Sequence, residues 1–162
     1  MLFFLAASLV AVADQITKTW IRSYSEGQVI FRSWFFSIIH TSNSGAAFGI
    51  LQDQSFFLTI AGFVGILLIL LFVFVISHRS PFLGTAAGKL ALGLVMGGTI
   101  GNLTDRLRYG HVTDFISVGI WPTFNIADSA VSIGVMLFAY LFLFSTRATK
   151  PSLPGVPEEQ EQ

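Results

Sequence analysis

The chain has 162 residues, 53% of them hydrophobic and only 11% charged, with a mean hydropathy of +0.72, whereas soluble domains carry about 25% charged residues. That composition suits a bilayer and excludes an ordinary water-soluble domain. Nine Lys and Arg balance nine Asp and Glu, so no overall charge points to nucleic acid. With no cysteine, disulfides, thiolate metal sites and cysteine nucleophiles are excluded as well.

A membrane span needs about 20 mostly apolar residues. The first candidate runs from Met1 to Ile21. Its Ala11-Val12-Ala13 run resembles a signal-peptide cleavage site, but a basic leader is missing and the apolar pattern resumes at Ile16, Trp20 and Ile21. A helix over about 2–21 is therefore predicted. In residues 23–54 the short runs Val29-Ile30-Phe31 and Trp34 to Ile39 predict strands. They are too short to cross a bilayer and suit a small surface sheet, with Trp20 and Trp34 at the interface. Ser55 to Ser77 has no charge and predicts a second helix over about 55–77. Phe82 to Thr104 predicts a third over about 82–105, with Lys89 near its start able to reach the headgroups. Ile116 to Phe124, with Trp121 and Pro122, reads as a second surface segment on the same side as the sheet. Ala127 to Thr146 completes a fourth helix over about 125–146, aromatic-rich from Met136 to Phe144. Pro151 to Gln162 is proline-rich and acidic, the composition of a disordered tail.

The expected fold is an all-α polytopic membrane protein: four transmembrane helices, a small extracytoplasmic β-sheet or cradle between helices 1 and 2, and one domain over residues 1–150. Arg79, Arg147 and Lys150 on one face stand against Arg22, Arg32, Arg106 and Arg108 on the other, so charge counting is balanced. Lys89 tips both termini toward the cytoplasm.

An ionisable residue inside a membrane costs about 2.5–3.5 kcal/mol on insertion scales, so each one needs a reason. Asp14 and Lys18 lie four apart on one helical face, as a structural ion pair or as part of a site. Gly93, Gly97 and Gly101 recur every fourth residue and would allow close helix approach. Asn102 and Arg106 share a face, while Asp105 is expected to point elsewhere and neutralise an arginine. Asp114 sits inside the apolar run Val112 to Ile116, and Asp128 follows Phe124-Asn125-Ile126-Ala127. These two acids flank one loop and are either separate anchors or a pair meeting at the interface. Carboxylates brought close together share a proton, which is what acid–base hydrolysis of a peptide by two aspartates requires. His40, His78 and His111 lack metal-ligand spacing and read as structural.

Five blocks now carry a resemblance: Asp14-Gln15-Ile16-Thr17-Lys18; Asn43-Ser44-Gly45-Ala46-Ala47-Phe48-Gly49; Gly97 to Asn102 with Asp105-Arg106; Gly110-His111-Val112-Thr113-Asp114-Phe115; and Phe124 to Asp128. In this order they resemble lipoprotein signal peptidase, or signal peptidase II. Thr17 stands where many members carry serine, which keeps the hydroxyl. The resemblance implies a catalytic pair, Asp114 and Asp128, supported by Asp14, Lys18, Asn43, Gly45, Asn102, Arg106 and Asn125. It also implies a diacylglyceryl-modified prolipoprotein substrate, cut on the amino side of the lipidated cysteine in the bacterial inner membrane. No metal or cofactor is implied, membrane lipid is the other expected partner, no nucleic acid is expected, and one copy of the chain is expected to suffice. Asn43 and Asn102 would meet substrate carbonyls or orient an aspartate, and Arg106 would hold a lipid oxygen or pair with Asp105. The rival readings are a small transporter or scaffold and a serine intramembrane protease. A transport path would place polar groups through the membrane's depth and often shows internal repeats, neither of which this sequence has. A serine protease would need a serine in a nucleophile motif beside a base, and this sequence has none.

Overall fold

A computed structural model describes residues 1–45, 54–76 and 84–145. Among these, the elements follow in the order α1 (Leu2–Ile21), β1 (Val29–Ser33), β2 (Phe36–Asn43), α2 (Ser55–Leu71), α3 (Ala86–Tyr109), β3 (Val112–Val118) and α4 (Ile126–Ser145). A π turn, Phe72–Ile76, continues α2. The predicted ends at Ser77, Phe82 and Thr146, the strand-like residues 46–49, His78 and the tail 151–162 lie outside the described residues.

Among the described residues, three helical segments are long and apolar enough to cross a membrane: Leu2–Ile21, Ser55–Val75 and Ile126–Phe144. The 24-residue α3 would span about 36 Å at 1.5 Å per residue, but Lys89, Asn102, Asp105, Arg106 and Arg108 dilute its apolar character. It is the central helix, packed against α1, α2 and α4. Its predicted glycine face is where α1 lies: a Cβ on Gly93 would come within 2.8 Å of the Phe3 carbonyl oxygen, and one on Gly97 within 2.5 Å of that of Ala7. Backbone approach that close needs a residue without a side chain. By contrast α2 buries no residue and meets α3 where Gly62 faces Leu103.

The third helix is shifted from its predicted limits of 82–105. It starts after Thr85, whose side chain accepts a hydrogen bond from the Gly88 N–H at 3.1 Å. It continues through the polar residues to Tyr109, because Gly110, at φ 76°, takes the left-handed capping conformation and donates to the Arg106 carbonyl. Cap chemistry, rather than polarity, ends this helix.

The sheet also departs from expectation. It is antiparallel in the order β1-β2-β3, so its third strand comes from between α3 and α4 and the sheet is not confined to the link between the first two helices. The hairpin turns at Trp34, which has φ 37° and is 98% exposed; β2 accordingly starts at Phe36, two residues beyond the predicted Trp34. In β3, Val112 to Phe115 are all buried, the polar Thr113 and Asp114 included, so the strand lacks the alternation that marks a half-exposed strand. A register shift between Ile38 and Thr41 sets Thr41 opposite Asp114. On its other side β3 bridges Phe124 through Ile116, and both edges are thereby held.

Candidate active site

Asp114 lies on β3 and is 2% exposed. Its Oδ2 accepts from Asn43 Nδ2 at 2.9 Å, and its Oδ1 from Asn125 Nδ2 at 2.7 Å. Asn43 ends the neighbouring strand β2, and Thr41 on that strand donates its hydroxyl to the Asp114 carbonyl at 3.0 Å. Beyond β3 the chain loops back, and Phe124 exchanges backbone hydrogen bonds of 2.8 and 2.9 Å with Ile116. That pairing leaves Asn125 beside Asp114 just as α4 begins.

Asn125 is also the N-cap of α4. Its Oδ1 accepts from the Asp128 N–H at 2.9 Å, while Asp128 Oδ2 accepts from the Asn125 N–H at 3.2 Å. This reciprocal arrangement satisfies two N–H groups that the helix itself leaves free and orients the carboxylate at the third helical position. The other oxygen, Oδ1 of Asp128, accepts from Asn102 Nδ2 at 2.7 Å. One asparagine, Asn125, therefore contacts both acids. Burial, and after it the charge of Asp128, pushes the Asp114 carboxyl up to about 7, against the opposing hydrogen bonds from Asn43 and Asn125.

Behind this pair lies a buried ionic cluster. Lys18 Nζ is 2.9 Å from Asp14 and 3.5 Å from Asp105, with all three side chains fully buried, and it donates to Asn102 Oδ1 at 2.8 Å. Asp14 also accepts the Ala127 N–H at 3.0 Å, tying α1 to the first turn of α4. Asp105 accepts from Gln15 at 3.0 Å and from the Thr113 N–H at 3.0 Å, and pairs with Arg22 at 3.2 Å. The expectation that Asp105 points away from Asn102 is thus corrected. Residues three apart are 60° apart around a helix at about 100° per residue, so both reach the same lysine. The expected alternative partner for Asp105, Arg106, is replaced by Lys18 and Arg22.

Arg22, Gln15 and Thr113 also join this cluster, beyond the residues expected from the sequence. Arg22 donates to the Thr113 hydroxyl at 3.0 Å and lies 4.5 Å from the centre of the Tyr109 ring. Asp14, Lys18 and Arg22 recur every fourth residue, and that spacing was the available signal. His40 contacts the Tyr24 carbonyl through Nδ1 at 2.8 Å, and His111 lies against the Tyr109 ring.

Asp114 and Asp128 open onto a cavity of about 690 Å³ whose polar lining includes Asn43, Gly45, Asn102 and Arg106 and whose apolar lining includes Leu58, Leu103, Val131 and Ile133. Arg106 donates to the Gly45 carbonyl at 3.2 Å, and its buried Nε has no hydrogen-bond partner among the described residues. Of the predicted site residues, Asn43, Gly45, Asn102, Arg106 and both acids line the cavity, Asn125 joins the acids from behind, and Asp14 and Lys18 stand one layer further back.

A family profile described as signal peptidase (SPase) II matches residues 6–144. The chain belongs to the signal peptidase II family. Among relatives in that family, the lipoprotein signal peptidase of Dehalococcoides mccartyi is 42% identical over 149 residues, covering 91% of this chain and 92% of its own. That of Moorella thermoacetica is 36% identical over 144 residues, covering 87% and 92% respectively. A solved structure of a bacterial membrane enzyme superposes with a TM-score of 0.79 at 31% identity, over 94% of both chains. A second has a TM-score of 0.71 at 32% identity. Membership of the signal peptidase II family makes this chain a peptidase, and its apolar helices fit a protein of bacterial membranes.

Proposed function

We propose that this signal peptidase II family member removes signal peptides from diacylglyceryl-modified prolipoproteins by aspartic catalysis, cutting on the amino side of the lipidated cysteine. The observation that carries this reading is that Asp114 and Asp128 line one cavity and both bond Asn125, with burial and the charge of Asp128 pushing the Asp114 carboxyl up to about 7. Asp114, whose carboxyl is pushed up to about 7 by burial and by the charge of Asp128, serves as the acid, and Asp128 serves as the base. Asp128 takes a proton from water as the water oxygen attacks the scissile carbonyl, and Asp114 donates a hydrogen bond to the developing oxyanion. When the C–N bond breaks, the proton held by Asp128 passes to the cysteine nitrogen. The products are a signal peptide ending in a carboxylate and a lipoprotein with a free amine.

The apolar lining suits a substrate that is itself an apolar helix bearing acyl chains. Arg106, which lines the cavity and has a buried N–H without a partner among the described residues, is positioned to hold a carbonyl or ester oxygen of that substrate. In the membrane we read all four helices as spans of one domain over 1–150, both termini cytoplasmic, and the acids near the extracytoplasmic face beside the sheet. A bundle whose centre is α3 accommodates Asn102 and Asp105 because Lys18 of α1 and Asp128 of α4 pair with them.

The test uses purified Asp114→Asn and Asp128→Asn enzyme with a diacylated prolipoprotein. Each variant is expected to lose cleavage by about 10²–10⁴-fold, the usual worth of a positioned acid or base, while remaining folded and inserted. Wild-type cleavage by either variant removes that acid from catalysis. Substrate without the diacylglyceryl group is expected to be cut poorly, and equal cleavage of both forms rejects lipid recognition.

A further inference from the structure

Two amides separate the buried ionic cluster from the paired acids, and an asparagine amide has two faces of opposite character, one donor and one acceptor. The orientation of Asn125 is set by α4, whose Asp128 N–H must meet an oxygen. Asn102 has no such backbone partner. What its side-chain oxygen meets is Lys18 Nζ at 2.8 Å, together with Asn125 Nδ2 at 3.1 Å. An ammonium only donates, so it accepts the oxygen face of Asn102 and rejects the nitrogen face. The nitrogen face is thereby turned toward Asp128, where it donates at 2.7 Å.

We propose that Lys18 is a positioning residue that acts through Asn102, its buried ammonium holding that amide with its N–H donated to the Asp128 carboxylate that serves as the base. The proposal rests on the aspartic reading above. A plain helix staple would be satisfied by the ion pairs with Asp14 and Asp105 alone. Yet the Asn102 contact is the shortest of the three Lys18 makes, at 2.8 Å against 2.9 and 3.5 Å. The charged groups facing Asp128 come from three elements: Lys18 of α1 through Asn102, Arg106 of α3, and Asp114 of β3. The described residues of α2 carry none. Among the described residues Lys18 is therefore one of two cations near the base, and the one coupled to it by an unbroken hydrogen-bond path.

The test compares wild-type enzyme with Lys18→Met and with Lys18→Met/Asp14→Asn, in detergent micelles with diacylated prolipoprotein, across pH 5–9. The double variant keeps the buried charges matched, Asp105 against Arg22, where the single variant leaves one acid in excess. Expected in the folded variants are a loss in kcat of about tenfold or more, the scale of one charge-assisted hydrogen bond, with KM unchanged within about twofold. The acidic limb of the pH profile moves about one unit toward higher pH, since the base is less easily kept ionised. A folded variant with the wild-type pH profile overturns the proposal whatever its kcat, because loss of folded molecules lowers rate without moving that limb. Failure of both variants to fold assigns Lys18 to helix packing and also overturns it. Active Asp114→Asn or Asp128→Asn enzyme would sink the aspartic reading itself, whereas an unmoved limb beside inactive aspartate variants sinks only this role of Lys18.

Discussion

Replacing Asp114 by asparagine tests the burial of that acid separately from catalysis, because the two side chains have nearly the same shape. The Asp114 carboxyl is pushed from the ordinary 3.8 up to about 7, first by burial and then by Asp128. Between these values the folded protein holds a proton that the unfolded chain releases. The sign follows: this group's stabilising contribution is complete below about 4 and disappears as pH rises through about 7. Each pH unit in that window is worth about 1.4 kcal/mol, so from pH 5 to 7 wild-type enzyme loses about 3 kcal/mol that Asp114→Asn does not lose. The variant starts lower, because an asparagine N–H₂ must face the amide nitrogen of either Asn43 or Asn125, a mismatch of about 1–3 kcal/mol. Relative to wild type it therefore gains steadily from pH 5 to 7 and levels off above. Equilibrium unfolding in detergent micelles, followed by tryptophan emission at pH 5, 6, 7 and 8, measures the difference. Curves that stay parallel across this range would refute the placement of Asp114 as a buried acid coupled to Asp128.

Activity that needs protonated Asp114 should fall about tenfold per pH unit above about 7, which a kcat/KM profile on diacylated substrate measures; a flat profile to pH 9 would exclude Asp114 as the hydrogen-bond donor. Gly101→Ala should destabilise the protein by about 1–3 kcal/mol and slow cleavage, since its Cβ would lie 2.5 Å from Asp14 Oδ2 and 3.3 Å from the Ala127 Cβ. Gly65→Ala in α2, where a Cβ meets nothing within 4 Å, should match or exceed wild-type stability by up to ~1 kcal/mol. Equal effects of the two substitutions in the same unfolding assay would contradict the packing of α1 and α4 around Gly101.

Hydropathy and periodicity were sufficient for the helices, because burying or lipid-exposing a whole 20-residue stretch is a property of local composition. The same holds for the Asp14–Lys18 pair, whose four-residue spacing dictates contact within one helix, and for Asn125 with Asp128, a capping pair three residues apart. What the tertiary structure decided is everything that depends on a partner distant in the chain. Asp114 became a strand residue because β2, some seventy residues earlier, supplies its ladder partner Thr41 and the amide of Asn43. Asp105 turned toward Lys18 and Arg22 rather than Arg106 because α1 lies against α3 on a face of glycines. Local sequence sets which side chains share a helix face, but a buried polar atom takes whatever complementary atom the packing of distant elements brings within about 3 Å, and that choice exists only once the chain has folded.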